Sequence, residues 1–94
     1  MTEEAFKTYA SLNTRVKMNR LKLDLLDEVV SLTDPWIKLE IFPSYRDLVD
    51  HTDAITFSSN MDCLPVEPII ECLRQSRDAL IKEIDDLEKE MLAL

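Results

Sequence analysis

Apolar residues recur at alternating spacings of three and four near both ends of the chain. They run over Ala5, Tyr9, Leu12, Val16, Leu23, Leu26 and Val30, and again over Val66, Ile70, Leu73, Leu80, Ile84, Leu87 and Met91. This is the period of a helix that buries one face against another, so each end predicts a long helix. Laid antiparallel, the two series match with paired residue numbers summing to 96, which sets Leu12 level with Ile84, Val16 with Leu80 and Leu26 with Ile70. The two breaks, Asn19 and Arg77, then face one another, and a buried polar pair of that kind fixes register in coiled coils.

The first helix is expected over residues 3–32 and the last over 65–94, each free of internal Pro beyond the first turn. The first helix runs from basic (Arg15, Lys17, Arg20, Lys22) to acidic (Asp24, Asp27, Glu28). The last runs from Arg74 and Arg77 to Glu83, Asp85, Asp86, Glu88 and Glu90. Antiparallel packing sets unlike charges together, whereas parallel packing sets acid beside acid. On one edge of this seam Arg15 faces Glu83. On the other, Arg20 lies opposite Arg74 with Arg77 one turn away, and three guanidinium groups at one level repel unless an anion lies among them. Asp47 or Asp50 of the middle segment are the expected neutralisers; an anion bound by Arg20, Arg74 and Arg77 is the alternative.

The first helix also carries Met18, Leu21, Leu25, Val29 and Leu32 on the face opposite its seam. A helix in a two-helix hairpin needs only one apolar face. The second must be covered by the middle segment, with Trp36, Phe42 and Phe57 against it, or by another chain. Met18, Leu21, Leu25, Val29, Leu32 and Trp36 are therefore the expected partner-binding residues.

In the middle, residues 33–64, Ile37, Leu39 and Ile41 alternate with Lys38 and Glu40 as in a strand, but Asp34-Pro35 also suits the start of a short helix, and the helix is preferred. Ser44-Tyr45-Arg46-Asp47 resembles a capping box for a second short helix through about Thr52. Ala54 to Phe57 is β-prone, and Ser58-Ser59-Asn60 reads as a turn. The fold predicted is mostly α, a single domain built as a long, coiled-coil-like antiparallel helical hairpin. It encloses a compact middle segment of short helices, with room for one or two short strands.

The chain has 94 residues, 46% of them apolar, and a formal charge of −8, which disfavours direct binding to nucleic acid or anionic membrane and suits a basic partner. No apolar run approaches a membrane span of about 20 residues, and the polar start Met1-Thr2-Glu3-Glu4 is unlike a signal peptide. A cytoplasmic, intracellular protein is expected, with Cys63 and Cys72 as reduced, buried thiols. Glycine is absent, which excludes phosphate-binding loops, the dinucleotide fingerprint and the hydrolase nucleophile elbow.

Asp47, Asp50 and His51 could share a helix face and hold a cation, but one histidine and no close cysteine pair make a poor metal set. His51 with Cys63 or Cys72 supplies the residue types of a thiol enzyme without an evident pocket. No catalytic residue, metal or cofactor is expected. The chain reads as a non-catalytic protein–protein interaction module that oligomerises: an adaptor, assembly subunit, chaperone or inhibitor. The alternatives are an acidic mimic of nucleic acid, presenting Asp85, Asp86, Glu88 and Glu90 to a DNA- or RNA-binding protein, and a protein that sequesters a small anionic ligand at its arginines.

Overall fold

A computed structural model describes residues 2–61 and 64–94. The elements follow in the order α1 (Glu3–Val30), β1 (Lys38–Ile41), α2 (Tyr45–Asp50), β2 (Ile55–Ser58) and α3 (Val66–Leu92). The fold is mostly helical: α1 and α3 pack against each other, and a small two-stranded antiparallel sheet occupies the middle of the chain. One compact unit joins α1 to Ile70–Leu94; the other is Thr33–Ile69.

In the first unit, α1 starts where Thr2, in extended conformation, accepts the N–H of Ala5 on its hydroxyl at 3.0 Å, with Glu3 and Glu4 in the first turn. The cap satisfies an orphan donor and the acids complement the helix dipole. The apolar side chains of α3 gather on one face, whereas those of α1 are spread around it. Leu12, Val16, Ile84 and Leu87 form the buried core, and Leu23 and Met91 pack on it. Asn19 is buried as well, and its Nδ2 has no hydrogen-bond partner among the described residues.

The helices are paired one heptad away from the sequence expectation. Arg77 lies 3.9 Å from Asp27, and Arg20 pairs with Glu88. In the expected register Arg77 would be level with Asn19, about 12 Å along the axis from Asp27, and Glu88 would be about 18 Å from Arg20 at 1.5 Å per residue. Sliding by seven residues sets Leu12 level with Met91, Val16 with Leu87, Asn19 with Ile84 and Leu26 with Arg77. That register accommodates both pairs, the packing of Leu23 and Met91 on the core, and the Arg15–Glu83 pair at 3.5 Å, which the sequence had also indicated. Asn19 thus faces an apolar neighbour, which is why its amide is orphaned. The heptad repeat is nearly degenerate under such a slip, since Leu12 and Val16 meet apolar residues of α3 in either register, and the slid register gives Arg20 and Arg77 carboxylate partners in place of mutual repulsion.

In the second unit, the preference for a helix from Pro35 is corrected to a strand. Lys38, Leu39, Glu40 and Ile41 pair antiparallel with Ser58, Phe57, Thr56 and Ile55. Asp34 has φ 54°, whereas a helix N-cap needs the β region, so it turns the chain instead of capping it. Period-two alternation wins because a β-prone partner segment lies within reach. The second helix begins as expected at Ser44, whose Oγ accepts the N–H of Asp47 at 3.2 Å and donates to its carboxylate at 2.6 Å. That hydroxyl, with Thr52 and Asp53 assisting against a smaller desolvation effect, holds the Asp47 carboxyl below its usual pKa. α2 stops at Asp50 because His51 takes a left-handed conformation, φ 54° and ψ 43°.

Leu39, Ile41, Ile55 and Phe57 share one face of the β1–β2 ribbon and are all exposed. Lys38, Glu40, Thr56 and Ser58 share the other, where Lys38 and Glu40 approach to 3.2 Å. No described residue of Thr33–Ile69 is buried.

Candidate functional site

The outer face of α1 is the largest run of solvent-facing apolar side chains on either long helix. Leu21 is 61% and Leu25 64% exposed, Met18 and Leu32 are exposed too, and Val29 is half-buried. The face exists because α1 has apolar residues at two helical phases, of which the seam with α3 consumes one. Lys17, Lys22, Asp24 and Glu28 flank the stripe, and none of them forms an ion pair among the described residues. Trp36 lies in the second unit and is exposed.

The arginines expected at one level are distributed over separate carboxylates. Arg20 pairs with Glu88, Arg74 with Glu71 at 3.1 Å, and Arg77 with Asp27 and with Asp78 at 3.4 Å. The displaced register is the cause, since it carries Arg20 along α3 from Arg74 towards Glu88. Asp47 and Asp50, the expected neutralisers, are otherwise engaged, Asp47 at the cap of α2 and Asp50 with Arg46 at 3.6 Å.

His51 closes α2, and Asp47 is committed to Ser44 and Thr52. Among the described residues no three His, Cys, Asp or Glu side chains converge as a metal site would require. Cys72 is a free, exposed thiol rather than a buried one; Cys63 lies outside the described residues. A shallow hollow of about 500 Å³ opens between α1 and α3, lined by Tyr9, Val16, Met91 and Leu92 and by the Arg20–Glu88 pair. Of the acids near the end of α3, Glu88 is occupied by Arg20 and Asp85 by Lys89 at 2.9 Å.

The ribbon face of Leu39, Ile41, Ile55 and Phe57 was not among the expected contact residues. Its signal in the sequence is the alternation of Ile37, Leu39 and Ile41, which a single helical turn from Pro35 fits equally well. Among the described residues, no helix is long and apolar enough to cross a membrane. Comparison with protein-family models, with curated proteins and with solved structures returns no significant match.

Proposed function

We propose that this chain is a non-catalytic protein–protein interaction module that binds protein, a further copy of itself included, through the outer face of α1. The observation that carries this reading is the exposure of Met18, Leu21 and Leu25 along a helix whose other apolar face is already buried against α3, with Leu32 exposed just beyond its end. Large apolar side chains contiguous in solvent are the usual mark of an interaction surface. The flanking Lys17, Lys22, Asp24 and Glu28 supply the polar rim that such surfaces carry.

Replacing Leu21 and Leu25 by Glu tests the reading. The double variant is expected to keep its helical circular dichroism, because neither side chain belongs to the core with α3, and to lose association measured by light scattering. Retained association in a folded double variant contradicts the proposal.

A further inference from the structure

The ribbon has an open edge whose pattern matches itself. One step beyond Lys38 and Ser58, Ser59 donates its N–H to the carbonyl of Ile37 at 2.9 Å and accepts the N–H of Ile37 on its hydroxyl at 3.1 Å, so both main-chain groups of Ile37 face the β2 side. Bonded and non-bonded pairs alternate along an antiparallel ladder, so Leu39 and Ile41 turn their main-chain groups towards β2 while Lys38 and Glu40 turn theirs outward. Among the described residues no hydrogen bond meets those outward groups.

Three two-fold registers would let the outward groups of β1 bond to β1 of a second copy. One sets Lys38 opposite Lys38 and another Glu40 opposite Glu40, and like charges directly opposite are destabilising. The third sets Lys38 opposite Glu40 twice, Leu39 opposite Leu39 and Ile37 opposite Ile41. Unlike charges then face each other on the polar side, and every apolar residue meets an apolar one on the other. A lone lysine on an edge strand discourages pairing; alternated with Glu40 it selects a partner of the same sequence.

We propose that β1 is the edge through which two copies of this chain join, antiparallel, into a four-stranded sheet ordered β2-β1-β1-β2. The inference rests on the reading of the chain as a self-associating module and names a second contact for it. A two-stranded ribbon alone is marginal in water, and three or more strands with a common apolar face are needed for independent stability. In the second unit no described side chain is buried, so the ribbon lacks what would hold it. Pairing supplies two further strands and makes Leu39, Ile41, Ile55 and Phe57 of both copies one continuous face.

The test is a charge exchange on the full chain, read by sedimentation equilibrium with circular dichroism as the check on folding. The unaltered chain is expected to be a dimer. K38E and E40K each set like charges opposite and are expected to weaken the dimer about tenfold or more. An equimolar mixture of the two regains dimer mass, and the double variant K38E/E40K dimerises by itself. An unaltered chain that stays monomeric, or a K38E that dimerises as tightly as the unaltered chain, overturns the proposal. If L21E/L25E dissociates the assembly and K38E does not, the α1 face stands and the β1 edge fails. The reverse result keeps the edge and removes the α1 face from self-association.

Discussion

Asn19, one turn after Val16 of the core, is 7% exposed, and no described residue accepts from its amide nitrogen. A buried donor left without a partner costs about 1–3 kcal/mol. Asn19→Leu is therefore expected to raise the unfolding free energy by about that amount in urea denaturation. Position 19 was legible as a core position from the heptads, but its neighbour was not, because the neighbour depends on the slide of one helix along the other. The cap at Ser44 was legible, because a capping box is local to four residues, whereas the engagement of Asp47 there, and not with the arginines, was not. Ser44→Ala should let the Asp47 carboxyl rise towards the usual carboxylate range in an NMR titration. Because the folded-state pKa is lowered, the capping interaction is fully present above the unfolded value of about 4 and is lost as pH falls through the lower folded value.

For a single helix, period and breaks give length, facing side and ends to within a residue or two: α1 and α3 lie at Glu3–Val30 and Val66–Leu92, against expected spans of 3–32 and 65–94. For a pair of helices they leave a ladder of registers one heptad apart, separated only by the sum of many small packing differences. The charge pattern selected the antiparallel direction; Arg15 reaches Glu83 in either register, whereas Arg20 and Arg77 meet Glu88 and Asp27 only after the slip. In a background with Cys63 and Cys72 replaced by Ser, cysteines at positions 16 and 87 should cross-link readily, whereas cysteines at 16 and 80 should not. A double-mutant cycle should give Asp27 and Arg77 a coupling of about 0.2–1 kcal/mol, as for an exposed ion pair, and Asn19 and Arg77 none. At Ile37 to Ile41 the difficulty was different. Four or five alternating residues fit a strand or one helical turn equally, and pairing with Ile55–Ser58 decides between them.

The two units of the molecule differ in what sustains them. The α1–α3 unit has a small buried core; the Thr33–Ile69 unit has its hydrogen-bonded ribbon and capped helix but no buried side chain among its described residues. Amide hydrogen exchange should therefore be markedly faster over β1 and β2 than over the centres of α1 and α3 in dilute protein, and should slow at β1 as concentration rises and copies associate. The second unit also contains every left-handed residue described: Asp34, His51 and Asp53, at φ 54°, 54° and 57°. Asp and His tolerate that region better than most residues, but glycine occupies it at least cost, and the chain contains none. The lack of glycine is thus not something the backbone demands. In a library of random variants selected for resistance to heat, glycine at positions 34, 51 and 53 should be recovered early, in a region where contact-improving substitutions have no buried core to act on.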